Sequence, residues 1–328
     1  MANYKIVDAE QLDATFTEIA NAVRTKTGTN ETMLITDIAS KINGIAVGEQ
    51  DYLEAKIDGT LSEYSNNTIT SIVSYAFAYC PSLTSVNFPA CTNIGGHAFY
   101  SCRSLTSINF PVCTSIDFYA FPYCSSLTSV NFPSCVSIDN NAFADCGNLT
   151  SVSFPACTSI GNNAFYGCQS LTYVDFPACT RIGDKAFAYC SSLTSVSFPV
   201  CTYIGPSAFR YCSSLTSVSF PVCTSIDYYA FAGCANLTSA NFPVCTYIGN
   251  SVFLNCYNLS QLYLEASSVC KLSNSSVFSS TPYAGYSASF SGTPYIYVPS
   301  SLVTAYQTAS NWSYFSSYFS AIEDAPTI

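Results

Sequence analysis

Leu83-Thr-Ser-Val-Asn-Phe-Pro-Ala-Cys-Thr-Asn-Ile-Gly-Gly-His-Ala-Phe-Tyr-Ser-Cys102 decides the fold, because nearly the same stretch is written again every 22 residues. Cysteine stands at 80, 102, 124, 146, 168, 190, 212, 234 and 256, and a second series runs through 91, 113, 135, 157, 179, 201, 223 and 245. Of the 18 cysteines only Cys270 lies outside both series. Leucine keeps the same period from Leu61 and Leu83 to Leu237 and Leu259. So do the Phe-Pro pairs from Phe88-Pro89 to Phe242-Pro243 and the Ala-Phe pairs from Ala76-Phe77 to Ala230-Phe231. A fixed period of this length specifies a solenoid.

Within one unit Val86, Asn87 and Phe88 alternate inward, outward, inward, as a strand with one buried face does. Pro89 ends that strand, having no N–H to give a neighbouring coil. The equivalents of position 95 are Gly95, Asp117, Asp139, Gly161, Gly183, Gly205, Asp227 and Gly249. Only Gly and Asp occur there, which predicts a left-handed or Asx-turn backbone. Ala98-Phe99-x-x-Cys102 is expected to form a short helical or 3₁₀ turn that buries Phe99 and Cys102. One unit cannot bury enough apolar surface to offset the entropy of ordering it, so stability has to come from stacking on neighbours. Ten leucine-started coils, Leu61 to Leu259, extend roughly 45–50 Å at about 4.8 Å per coil.

The spacing Leu83-x-x-Val86-x-Phe88-x-x-Cys91-x-x-Ile94 fits the leucine-rich-repeat pattern. The whole unit resembles the BspA-type bacterial leucine-rich repeats, whose coils carry a similar L-T-S-V-x-F-P…I-G-x-x-A-F-x-x-C signature. The likeness covers about residues 60–299, with eight near-perfect copies. It implies a leucine-rich-repeat solenoid of 22-residue coils, a parallel β ladder joined by short helical or 3₁₀ turns. It also implies the setting of bacterial surface and adhesin-like proteins, which bind other macromolecules and do not catalyse reactions.

The chain divides into a helical N-terminal module (1–50), the solenoid (51–270) and a C-terminal capping region (271–328). In the first part, Asp8 is a natural N-cap with Gln11 three residues on, and Val7 and Leu12 are placed for a hydrophobic staple. Leu12, Phe16, Ile19 and Val23 form one apolar stripe, and Gly28 can close the helix. A second short helix is expected over about residues 36–43. One reading is a hairpin that covers the first coil. The other is an attachment module that makes a homo-oligomer through residues 7–43. Those residues are similar to a short module that precedes variable domains in tail-associated proteins of phages and prophages of Gram-positive bacteria. At the far end Ser267 and Cys270 break the pattern, Tyr295-Ile-Tyr-Val-Pro299 reads as a last strand, and Leu302, Val303 and Tyr306 suggest a short helix. A solenoid end without such a cap exposes its core.

Composition closes several doors. Only 9% of the 328 residues are charged, with 10 Lys and Arg against 20 Asp and Glu and a net charge of −10. That balance cannot supply the phosphate contacts of nucleic-acid binding or a basic patch for an anionic membrane. Hydrophobic residues make up 49%, which is ample for a core, yet no stretch approaches the roughly 18 apolar residues of a membrane span. The beginning, Met-Ala-Asn-Tyr-Lys-Ile-Val-Asp, has no basic region followed by an apolar run, so export by the general route is not expected. A virion protein, assembled in the bacterial cytoplasm and released by lysis, needs no such signal. The bacterial cell surface is the alternative location.

Buried free thiols are the favoured reading of the cysteines, with disulfides and metal as alternatives; there is no C-x-x-C pair. No cofactor and no metal site is expected. His97, the single histidine, sits at a position whose equivalents include Tyr119, Asn141, Lys185 and Tyr229, and such tolerance marks a surface. No paired carboxylates and no phosphate-cradling loop stand out, so the chain reads as a non-enzyme.

Two faces remain for binding. The strand face repeats Thr84, Ser85 and Asn87 from coil to coil; it reads as a solvated sheet face or as a regular hydroxyl array for a repetitive glycan. The Ala-Phe turn face varies. Its outward positions include His97, Tyr100 and Arg103, then Tyr119 and Tyr123, Asn141 and Asp145, and Tyr166 and Gln169. Lys185 and Tyr189 follow, then Arg210 and Tyr211, then Tyr228 and Tyr229. A constant core beneath Tyr, Ser, Asn and Asp variation has the chemistry of a paratope; neutral drift is the competing reading. The leading expectation is a phage or prophage tail protein that adheres to a host-surface glycan or protein or to a neighbouring virion protein. The alternatives are a bacterial cell-surface or secreted leucine-rich-repeat interaction protein and a purely structural virion component.

Overall fold

The computed structural model describes residues 60–285 and 294–325. The helical module expected over 1–50, with its Asp8 cap and its seam in residues 7–43, lies outside the described residues.

Each coil contributes two short parallel strands. The first is three residues long and recurs as Glu63–Ser65, Ser85–Asn87, Ser107–Asn109 and so on to Gln261–Tyr263. The second is a two-residue strand that runs from Ser71–Ile72 to Lys271–Leu272 and forms one unbroken ten-stranded sheet. Like pairs with like: Val86 lies opposite Ile108, and Ile94 opposite Ile116. The register step of 22 means that every inward residue lands on its own copy, which is how a repeated sequence becomes a continuous interior.

That interior is dry. Leu83, Phe88, Cys91, Ile94, Ala98, Phe99 and Cys102 are fully buried, and so are their equivalents through the array. The Phe-Pro and Ala-Phe phenylalanines build two stacked columns, with Phe99 to Phe121 at 4.8 Å and 4° between planes and Phe88 to Phe110 at 5.5 Å. The columns meet edge-on, as Phe99 does Phe110 at 6.0 Å, so both favourable ring geometries are used in each coil.

All eighteen cysteines are buried free thiols. Cys102 donates to the carbonyl of Phe77 in the preceding coil (3.0 Å) and Cys124 to that of Phe99 (3.3 Å). Cys91 and Cys113 donate instead within their own coil, to Asn93 O and Ser115 O. A thiol is small and apolar enough for the core yet carries a weak donor. Burial pushes the Cys113 and Cys146 thiols up to about 12, and Cys157 and Cys201 to about 11.

Two expectations for the coil are corrected. The return segment at Ala98-Phe99 is neither α nor 3₁₀ helix. Alternate N–H groups turn back within the coil (Ala98 to Gly95 O, Tyr100 to His97 O), while His97, Phe99 and Ser101 donate to the next coil. Ladder bonds replace helix bonds, because residues 97 and 101 are left-handed, at φ of 59° and 56°. The glycines of the position-95 series are in turn not left-handed. A Cβ at Gly95 would meet Ile72 O and Ser74 N at 2.7 Å, so glycine is there for close approach to the preceding coil. Asp139 and Asp227 are not left-handed either, and in place of an Asx turn to the second N–H each carboxylate accepts from the N–H of the next residue, at 2.6 and 2.7 Å.

The far end is closed by side chains. Trp312 Nε1 donates to Cys270 O (2.6 Å) and Cys270 N–H to the Tyr306 hydroxyl (2.9 Å), both in the core. Asn311 donates to Leu272 O and Ser273 O at the last strand of the ten-stranded sheet (3.0 and 3.2 Å). These are the groups that a further coil would have satisfied. Among the described residues no helix is long and apolar enough to cross a membrane.

Candidate functional site

The strand face and the turn face use their side chains differently. On the strand face Thr106 Oγ1 donates to Thr84 O (3.0 Å), Thr150 to Thr128 O (3.0 Å) and Thr238 to Thr216 O (3.0 Å). A second threonine column beside the ten-stranded sheet does the same, as Thr114 to Thr92 O (3.1 Å) and Thr202 to Thr180 O (3.2 Å). Asn109 Nδ2 donates to Asn87 Oδ1 (2.7 Å). The threonine hydroxyls of this array are engaged by the coil beneath them, which accounts for their sameness without a ligand.

On the turn face every sequence-predicted residue lies at the surface. Arg103, Tyr119, Tyr123, Gln169, Tyr189, Tyr211 and Tyr228 are exposed; His97, Tyr100, Asn141, Asp145, Tyr166, Lys185, Arg210 and Tyr229 are half-buried. His97 is less open than a tolerant position suggests. It stacks between Tyr75 (4.6 Å) and Tyr119 (5.0 Å), and burial holds its imidazole below the ordinary value.

These residues fall into columns, and the columns have an unusual backbone. His97, Tyr119, Asn141, Asn163, Lys185, Ser207 and Tyr229 are all left-handed, with φ between 51° and 59°. So are Tyr79, Ser101, Tyr123, Asp145, Tyr189 and Tyr211 four residues further on in their coils, with φ between 56° and 63°. Non-glycine residues pay for this conformation, and Asn and Asp pay least. Tyrosine at five of these exposed positions in the array is therefore not what local backbone preference selects. Sequence reading missed the conformation because Tyr and Lys are not its usual occupants.

Aromatic contacts divide the face. One cluster joins Tyr79 to Tyr100 (5.2 Å), Tyr100 to Tyr123 (5.6 Å) and His97 to Phe118 (5.2 Å). The other joins Tyr166 to Tyr189 (5.2 Å) and Tyr189 to Tyr211 (5.0 Å), with the Arg210 guanidinium over Tyr211 (4.9 Å) and Tyr229 (5.4 Å). Small residues make room for them: a side chain on Gly96 would run into the Phe118 ring, and one on Gly233 into Tyr211.

A second groove, of about 300 Å³, follows the ten-stranded sheet past Ser115, Ser137, Ser159, Asp117, Asp139 and Arg181. Burial, then Asp139 nearby, raises the Asp117 carboxyl above the usual range. Asp139 is already held by the Asn140 N–H, and among the described residues no three ligand-type side chains gather as a metal site would require.

With this geometry in hand, comparison with known proteins is informative for the repeat. The model of the BspA type leucine rich repeat region matches residues 62–172 and 180–284, in six copies. No curated protein is similar to the chain in sequence. Among solved structures, a leucine-rich repeat protein of T. pallidum is 28% identical, with a TM-score of 0.46, covering 58% of this chain and 83% of that one. A leucine-rich cell surface protein of Faecalibacterium prausnitzii is 24% identical, with a TM-score of 0.39, over 73% and 82% of the two chains. The pneumococcal vaccine antigen PcpA is 15% identical, with a TM-score of 0.31, over 80% and 88%.

Proposed function

The chain belongs to the BspA-type leucine-rich repeat family, and from that premise we propose that it is a non-enzymatic binding protein of the bacterial cell surface that holds a macromolecular partner on its Ala-Phe turn face. The observation that carries the reading is the set of exposed tyrosines on left-handed backbone. Residues kept in a costly conformation at a surface point to use of that surface, and tyrosine offers rigid amphipathic contact area at low entropic cost. The strand face lacks that signal, and its threonine hydroxyls are bonded to the preceding coil.

The test is a whole-cell binding assay with the labelled full chain, on intact bacterial and epithelial cells. Replacing Tyr123, Tyr189 and Tyr211 together by Ala is expected to lower binding at least about tenfold, as the loss of aromatic anchors does. Unchanged binding removes the turn face as the paratope. A phage or prophage tail protein, the reading that residues 7–43 suggest, would use the same face. Antibody labelling of cells against purified virions separates the two locations, and a structural virion component predicts no binding at all.

A further inference from the structure

The two aromatic clusters of the turn face are separated by a cleft of about 220 Å³. Tyr119 and Tyr123 stand on one side, Tyr166 on the other, with Asn141, Asp145 and Asn163 between them. We propose that this cleft binds one neutral pyranose unit of a surface glycan. The inference rests on the turn face being the binding face.

Size is the first argument. The cleft is below the roughly 300 Å³ at which pockets for drug-sized ligands begin, so it suits a single ring. Tyr123 and Tyr166 belong to coils two steps apart, about 10 Å along the stack. The intervening coil places only the methyl group of Ala144 where Tyr166 stands in the next. Two contact distances of about 3.5–4.0 Å leave room for one saturated ring between the walls. The C–H bonds of a pyranose face are the partners that the negative face of a tyrosine ring prefers.

The polar groups are the second argument. Among the described residues the Asn141 and Asn163 carboxamides and the Asp145 carboxylate make no side-chain hydrogen bond. Their chain neighbours do: Asn140 Oδ1 accepts from Asn162 N (2.7 Å) and Asn162 Oδ1 from Asp184 N (2.8 Å). One asparagine of each pair is thus structural and the other is free for a ligand. Gly167 leaves space for the Asp145 carboxylate, since a side chain there would collide with its Oδ1. Two carboxamides and a carboxylate can accept and donate to adjacent hydroxyls, and none of them suits an apolar peptide side chain.

Charge is the third. The lining holds no cation; Lys185 is paired with Asp184 (3.6 Å) and Arg210 lies on Tyr211. With Asp145 in the cleft and a net charge of −10, a uronic or sialic acid is repelled and a neutral sugar is not.

Saturation-transfer NMR on the full chain tests this, with the methyl glycosides of glucose, galactose and N-acetylglucosamine, and methyl glucuronide as the charged comparator. At about 10 mM, enough to fill a millimolar site, at least one neutral glycoside is expected to show transfer, and the glucuronide at least tenfold less. Tyr166→Ala and Asp145→Asn, each checked for folding by circular dichroism, are expected to weaken it about tenfold or more. Gly167→Ala, which displaces the carboxylate without removing a lining group, is expected to weaken it too. Silence from all three neutral glycosides, or equal transfer in all three variants, overturns the proposal. If the sugars fail while the triple tyrosine variant still abolishes cell binding, the sugar site falls and the binding face stands. If the triple variant binds cells normally, the binding face falls with it.

Discussion

The strand face and the turn face belong to the same coil and differ in how much the sequence varies on them. The first repeats Thr-Ser almost unchanged, with Asn, Ser or Asp two residues further on; the second varies much more from coil to coil. Their hydrogen bonds explain the contrast. A strand-face threonine bonds the backbone of the coil beneath it, as Thr194 Oγ1 does Thr172 O at 3.0 Å, so altering it disturbs the stack. A turn-face side chain leaves the ladder to the backbone, where Tyr189 N donates to Arg210 O and Phe187 N to Ala208 O. Its side chain is free to vary. Sameness here records a structural task and variety records freedom from one.

Four measurements sharpen or break this contrast. The largest effect belongs to the core that both faces share: Phe165→Ala, in the middle of its column between Phe143 (5.4 Å) and Phe187 (5.3 Å), is expected to cost about 3–5 kcal/mol by denaturant unfolding. Alkaline titration comes next. Burial raises the thiols from an ordinary 9.0 to about 11 or 12, so the folded chain keeps protons that the unfolded chain loses. Stability is then full below pH 9 and falls as pH rises toward 11–12, by about 1.4 kcal/mol per pH unit for each such thiol. A circular-dichroism melt series across that window should show a steep, cooperative loss; a flat profile breaks the account of the interior.

The smaller effects separate the faces. Tyr189→Asn gives up ring contacts with Tyr166 and Tyr211 but relieves a left-handed tyrosine at φ 63°. The two terms are each about 1 kcal/mol and opposed, so the melting temperature is expected to move little while cell binding drops. Thr194→Val should do the reverse: about 0.5–1 kcal/mol of stability lost, because the Thr172 carbonyl keeps its backbone donor, and binding unchanged. A Thr194→Val variant that loses binding would make the strand face the functional one.

Much of this was legible before any coordinates. Leu83, Phe88, Cys91, Phe99 and Cys102 read as core and are core. The variable positions from His97 to Tyr229 read as surface, and all but Ser207, which is buried, reach it. Position 95 departs from the left-handed or Asx-turn backbone expected of it: glycine is there for close approach to the preceding coil, and the carboxylates of Asp139 and Asp227 accept from the next N–H on an ordinary backbone. The cap was visible only as a decay of pattern; that Trp312, Tyr306 and Asn311 complete the backbone bonding of Cys270 and Leu272 depends on contacts across 36 to 42 residues.

The amino-acid order by itself determined the solenoid, its period and its interior, because a 22-residue repeat with fixed apolar positions has one way to bury them all, against its own copies. Which outward face remained free was decided only by the stacked coils. Hydroxyls facing a neighbouring carbonyl, a left-handed φ at residues 97 and 101, and a gap between Tyr123 and Tyr166 are relations between coils, and a linear period carries no information about them.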